Sequence, residues 1–274
     1  MTVSTNNKNQ SNYSYSLVRV AKLLGLKPIA NFFISLMPQA MQSAVRRFLA
    51  RYYLDEEWDS MALLVPVEAL KQKQREALLY LKTTIGLETI GDYLEFGVFN
   101  GTSLGCMFQV LQEFGLNQVR LFGFDSFEGL PETDAEEDIG VWDAGGFKCH
   151  IEVTKERLTR LGIDWNRTFL IKGWFSDTLK PEFCQQYQIK KTNLIMVDCD
   201  MYSSTVDVLK FCEPLIRDQA VIFFDDWNSD GLASRNLGEK KAFDEFLLAH
   251  PEFTAQEFGS YHVNSICFIV TRTT

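Results

Sequence analysis

The sequence predicts an α/β fold: a doubly wound, mostly parallel seven-stranded sheet with one antiparallel strand, preceded by an N-terminal helical appendage. Three observations carry this. Two short apolar runs, Leu194 to Val197 and Ala220 to Phe224, each stop abruptly at acids, Asp198 and Asp200 after the first and Asp225 and Asp226 after the second. Runs this short and this uniformly apolar read as strands buried on both faces. Between them, Ser203 to Pro214 has helical spacing, which makes the strand–helix–strand crossover that parallel strands need. Upstream, Tyr93 to Val98 is another apolar run, and it leads through Gly97 and Gly101 into a helical pattern opened by Thr102 and Ser103.

Residues 1–14 are polar and without periodicity and read as a disordered leader. Residues 15–85 form the helical appendage or lid. Its first part carries Leu17, Val20, Leu24, Phe32, Leu36, Val45 and Phe48 at helical spacing, broken near Pro28 and Pro38, and a long helix is expected over Val67–Thr84. From residue 86 onward strands and helices alternate. Strands are expected at Tyr93–Val98, Val119–Phe124, Thr168–Lys172, Asn193–Val197 and Ala220–Phe224, with a closing hairpin of Thr254–Phe258 and Ser265–Thr271. Helices are expected at Thr102–Phe114, Thr154–Leu161, Ser204–Cys212 and Glu239–Leu248.

Composition narrows the function classes. With 274 residues and 46% hydrophobic content, the chain can bury a full core. Its six cysteines lack CxxC spacing and read as reduced thiols of a cytoplasmic protein. No apolar run approaches the ~18 residues of a membrane span, and the N-terminus lacks a signal-peptide core. Residues 1–54 hold seven of the 27 Lys/Arg and none of the 36 Asp/Glu, so the rest of the chain is strongly acidic. An acidic body excludes nucleic acid as a partner, because phosphate binding needs a basic face. The basic N-terminal helices suit packing on the main domain or on a second copy in a homo-oligomer, with peripheral membrane contact as the lesser alternative.

In open α/β sheets, ligands bind beyond the carboxyl ends of the strands, and the chemistry-bearing residues cluster there. Gly97 and Gly101 let the backbone approach a ligand, and Thr102 and Ser103 open a helix whose N–H groups face it, although a plain strand–helix turn has the same pattern. Asp125 ends the second strand 28 residues after Gly97, where a βαβ unit sets an acid against a ribose. It therefore points to a nucleoside-containing cofactor, or else caps the next turn through Ser126 and Phe127. Trp174 and Phe175 after the third strand either flank a purine ring or pack in the core. Asp198, Asp225 and Asp226 end adjacent strands, and three such carboxylates are best reconciled by one hard cation such as Mg²⁺.

Together, LEFGVFNGTS, FGFDSFEGLP, IKGWFSDTL, VDCDMYSSTVDVL and FFDDW, spread over about residues 90–230, resemble the macrocin O-methyltransferase family. The resemblance implies a class I fold whose domain at 86–274 binds S-adenosylmethionine, with Mg²⁺-dependent methylation of sugar hydroxyls on natural products. It implies that Glu95, Gly97, Gly101, Thr102 and Ser103 hold the methionine end of S-adenosylmethionine, that Asp125 holds its ribose, and that Trp174 and Phe175 lie towards its adenine. It also implies Mg²⁺ on Asp198, Asp225 and Asp226. Family members carry Gly, Tyr and Glu where this chain has Cys199, Trp227 and Ser203, which leaves the acceptor open. A vicinal diol of a small molecule is the natural acceptor, since two neighbouring hydroxyls can chelate the ion. Asp198 or Asp200 is the expected base; His262, in the hairpin turn, reads rather as a surface histidine. Two alternatives remain at this level: a nicotinamide-dependent oxidoreductase, against which the missing third glycine counts, and a non-catalytic cofactor-binding or docking protein.

Overall fold

A computed structural model of the chain describes residues 66–132 and 136–273. The expectations for the leader, the basic helices, the membrane contact and the oligomer they would mediate fall on residues outside those described. Helices α1 (Val67–Thr84), α2 (Thr102–Glu113), α3 (Ile151–Arg160), α4 (Phe175–Thr178), α5 (Pro181–Tyr187), α6 (Tyr202–Cys212) and α7 (Gly238–Ala249) flank one sheet. Its strands are β1 (Asp92–Phe96), β2 (Leu121–Asp125), β3 (Thr168–Lys172), β4 (Thr192–Val197), β5 (Gln219–Phe224), β6 (Phe253–Glu257) and β7 (Ile266–Arg272). Among the described residues, no helix is long and apolar enough to cross a membrane.

The seven strands run in the order β3-β2-β1-β4-β5-β7-β6. β1 to β5 are mutually parallel, and β7 is antiparallel to both β5 and β6. The expected fold class is the observed one. Successive side chains of a strand point to opposite faces, so each apolar run builds two cores. Tyr93, Leu121, Leu194, Met196, Val221 and Phe223 pack with the apolar stripes of α1 and α2. Leu94, Phe96, Phe122, Phe124, Ile195, Val197, Ile222 and Phe224 pack with α6 and α7 on the other side. Phe96 and Phe124 stack with ring centroids 5.1 Å apart, and Phe211 of α6 meets both edge-on. Burying each such side chain contributes roughly 2–3 kcal/mol.

Helix α1, grouped by sequence with the N-terminal segment, packs here on α2 and the sheet. Leu70, Ala77, Leu78 and Leu81 are fully buried, and Arg75 pairs with Glu113 at 2.6 Å. Lys73 Nζ donates to the Phe258 carbonyl at 3.1 Å, so α1 also holds the connection between β6 and β7. The six cysteines form no disulfide with one another, and Cys106, Cys199, Cys212 and Cys267 are buried.

Candidate active site

The strand ends meet at the C-terminal rim, and the glycine turn is the tightest point there. Gly97 has φ 86°, and its N–H donates to the Phe124 carbonyl at 2.9 Å. Gly101, at φ 85°, is the N-cap of α2. The loop between them is fastened by Asp125: one carboxylate oxygen accepts the N–H groups of Val98 at 2.9 Å and Phe99 at 2.7 Å, and the other accepts that of Phe127 at 2.6 Å. Asp125 therefore caps its own turn and also shapes the glycine loop. Burial pushes its carboxyl up despite the three amides.

Glu95 lies beneath this loop with no solvent exposure. It accepts hydrogen bonds from Tyr93 Oη at 2.5 Å and Ser103 Oγ at 2.8 Å, and burial raises its pKa to about 8. Thr102 is also buried, its hydroxyl donating to Asn100 Oδ1 at 2.8 Å. Glu95, Gly97, Gly101, Thr102, Ser103 and Asp125 are thus brought together at one turn. Trp174 and Phe175 stand apart from each other. Trp174 is 39% exposed, whereas Phe175 turns inward and meets Phe96 edge-on at 5.9 Å.

The acidic cluster forms one strand further along. The Asp198 N–H donates to the Phe96 carbonyl at 2.8 Å and the Asp225 N–H to the Val197 carbonyl at 3.0 Å, so both acids leave the sheet at the same level. Asp198, Asp225 and Asp226 each bring a carboxylate oxygen within 4.8 Å of the others. Burial, together with the charges of Asp225 and Asp226, raises Asp198 well above the usual carboxylate range. Asp226 is raised to about 6 by burial and by Asp225, with Ser229 Oγ donating to it at 2.7 Å. Asp225 goes the other way: burial opposes ionisation, but His262 and Tyr261 hold it below the ordinary value. Asp200 sits in the left-handed region at φ 65° and shares a hydrogen bond with Asp226.

Three further residues belong to this cluster. Glu239, the second residue of α7, has no exposure; its Oε2 accepts the Asp226 N–H at 3.2 Å, and its Oε1 is buried without a hydrogen-bond partner. The Tyr261 hydroxyl donates to Asp225 Oδ1. His262 is not a surface histidine: its side chain is 14% exposed and its Nε2 lies 3.0 Å from the same Asp225 oxygen. A sequence signal for the last two did exist. An antiparallel strand beside β5 places the turn that precedes it next to the acids that follow β5, and Phe224 is indeed paired with Ile266. Of the departures from the family pattern, Trp227 packs away from the cluster on Phe224, Phe243 and Phe268, whereas Cys199 is buried between Asp198 and Asp200.

Glu213, His250 and Glu252 are also close enough together for a metal, but Arg272 pairs with Glu213 there.

A sheet with its antiparallel strand between the fifth and sixth, a glycine turn after the first strand and an acid ending the second define a class I methyltransferase. The chain belongs to the macrocin O-methyltransferase (TylF) family, whose model matches residues 67–244. It is 27% identical over 184 residues to the 8-demethyl-8-(2,3-dimethoxy-alpha-L-rhamnosyl)-tetracenomycin-C 4'-O-methyltransferase of Streptomyces olivaceus, covering 65% of this chain and 67% of that one. It is 24% identical over 147 residues to the mycinamicin III 3''-O-methyltransferase of Micromonospora griseorubida, covering 50% of this chain and 55% of that one. Of solved structures, the O-methyltransferase NovP superposes with a TM-score of 0.58 at 19% identity, over 76% of this chain and 80% of its own. The calicheamicin methyltransferase CalS11 does so with a TM-score of 0.58 at 18% identity, over 99% and 94%. These two establish the shared fold. The oxidoreductase and non-catalytic alternatives fall with the family membership.

Proposed function

We propose that the protein transfers the methyl group of S-adenosylmethionine to a sugar hydroxyl of a glycosylated natural product, one of a vicinal pair, with Mg²⁺ at the three aspartates. The observation that carries this is the meeting, at one rim, of the loop at 97–103 with Asp198, Asp225 and Asp226. The sugar acceptor is supported by the tetracenomycin relative, whose name puts a rhamnosyl group on the compound it methylates.

The residues present fit both groups. A Cβ at Gly97 would collide with the Asp198 backbone, so the glycine holds the loop at 97–103 directly against the first acid of the cluster, and α2 begins beside it. Glu95 suits an ammonium group, Asp125 a ribose, and Trp174, exposed after β3, the adenine side. Phe175 supports that side from the core. For the cation, Asp198, Asp225 and Asp226 supply hard oxygen donors, and the upward shifts of Asp198 and Asp226 are those of carboxylates lacking a countercharge. Bound there, Mg²⁺ would lower the pKa of the acceptor hydroxyl and fix its oxygen.

An alcohol must lose its proton to displace a thioether, so a base has to stand at the rim. Asp200 is favoured, because it adjoins the three-carboxylate set through Asp226 without belonging to it; Asp198 is the alternative within the set. The test is calorimetry of the full chain with S-adenosylmethionine and S-adenosylhomocysteine, followed by transfer assays on glycosylated diols with Mg²⁺ and with EDTA. Binding of both nucleosides and transfer only with Mg²⁺ are expected. Failure to bind either nucleoside overturns the cofactor, and full activity in EDTA overturns the metal.

A further inference from the structure

We infer that Tyr261 and His262 are positioning residues for the Asp225 ligand: both donate to its Oδ1, so that Oδ2 is the oxygen offered to the cation. The inference rests on the metal reading above and adds residues from a different part of the chain. The Tyr261 hydroxyl and His262 Nε2, the latter at 3.0 Å, converge on that one oxygen. His262 Nδ1 accepts the Asn264 N–H at 3.1 Å, which leaves Nε2 as the nitrogen that carries the proton and donates. A carboxylate oxygen with two donors has its in-plane lone pairs occupied, and the carboxylate is then held in one rotation about its Cβ–Cγ bond.

The turn that delivers the donors is itself tightly built. Ser265 is 7% exposed, and its Oγ accepts the N–H groups of Tyr261 at 3.0 Å and His262 at 2.9 Å and lies 3.1 Å from the His262 carbonyl, to which it donates. Beyond the turn, Lys73 of α1 fastens the Phe258 carbonyl and lies 5.0 Å over the Phe258 ring. The hairpin thus carries a rigid pair of donors from the end of the sheet to a metal ligand. Outer groups that orient a ligand in this way commonly change metal affinity 10- to 100-fold when removed.

The test is calorimetric titration of Mn²⁺ into the full chain saturated with S-adenosylhomocysteine, using Tyr261→Phe, His262→Ala and His262→Gln. Tyr261→Phe and His262→Ala should each weaken Mn²⁺ binding about tenfold or more, while the affinity for S-adenosylhomocysteine, which also reports folding, stays at the wild-type value. His262→Gln keeps an N–H donor at similar reach and should restore Mn²⁺ affinity to within about threefold of wild type. A purely structural histidine would instead lower the affinities for Mn²⁺ and S-adenosylhomocysteine together. Wild-type Mn²⁺ affinity in both Tyr261→Phe and His262→Ala overturns this inference and leaves the metal reading standing. No Mn²⁺ binding by the wild type overturns the metal reading and the inference with it.

Discussion

Gly97 and Asp198 touch through their backbones: a Cβ built on Gly97 would lie 1.6 Å from the Asp198 carbonyl oxygen. The turn at the end of β1 and the first acid after β4 are therefore one unit, and Gly97, at φ 86°, has no room for a side chain. Gly97→Ala should destabilise the fold by about 3 kcal/mol or more, lowering Tm by roughly 6–12 °C, and should weaken S-adenosylhomocysteine and Mn²⁺ together. A variant that melts and binds like the wild type would contradict the contact.

Glu95 makes the stability of the fold pH-dependent. Its carboxyl titrates near 4.5 in the unfolded chain and near 8 in the folded one. Between those values the native state holds the additional proton, so stability falls as pH rises through this window, by up to roughly 5 kcal/mol. Glu95→Gln should flatten that slope and raise Tm relative to wild type at pH 8 more than at pH 5. If ionised Glu95 meets the methionine ammonium, binding releases this proton, and affinity should climb with pH, at most about tenfold per unit, until about pH 8. An S-adenosylhomocysteine affinity that is flat from pH 6 to pH 8 would exclude the contact.

On the proposed metal reading, Asp226 trades stability for the cation. Raised to about 6, it costs the metal-free protein stability above that pH and nothing below the unfolded value of 3.8. In EDTA at pH 7.5, Asp226→Asn should raise Tm by a few degrees, a gain that fades toward pH 4, while the stabilisation by added Mg²⁺ disappears. A lower Tm in EDTA would show that the carboxylate is held by something other than a missing countercharge.

Asp125 separates a cap from a cofactor contact. Asp125→Ala strands the N–H groups of Val98, Phe99 and Phe127 and should cost about 3 kcal/mol or more; Asp125→Asn, which keeps one acceptor oxygen, should cost less. If the carboxylate also meets the ribose, Asp125→Asn should weaken S-adenosylhomocysteine binding about tenfold. A fall in Tm with unchanged affinity would leave Asp125 as a cap alone.

The sheet was legible because its strands are buried on both faces. Apolar runs such as Leu194–Val197 allow few other readings, and β3 and α1 were bounded as observed. The segment between β2 and α3 has no period to read, and α4 and α5, of four and seven residues, are too short to show one. Pro181 at the start of α5 is their only boundary signal. The aspartates were legible because each ends a strand. Glu239 was not, since its part in the cluster depends on the docking of α7, and Tyr261 and His262 could be found only by following the expected antiparallel strand back to the turn before it, not from local pattern. Phe175 shows the same limit from the other side: an aromatic at the rim can turn inward, and only packing against Phe96 decides it.

The place of β7 has a consequence for biosynthesis. β7 lies between β5 and β6, yet a ribosome delivers it after both. While the chain emerges, β5 has one finished edge, β6 has no partner strand, and the turn that bears Tyr261 and His262 lacks the Ser265 hydroxyl that fixes it. The turn proposed to orient Asp225 is therefore the last part of the rim to be completed, and it arrives together with the strand that closes the sheet.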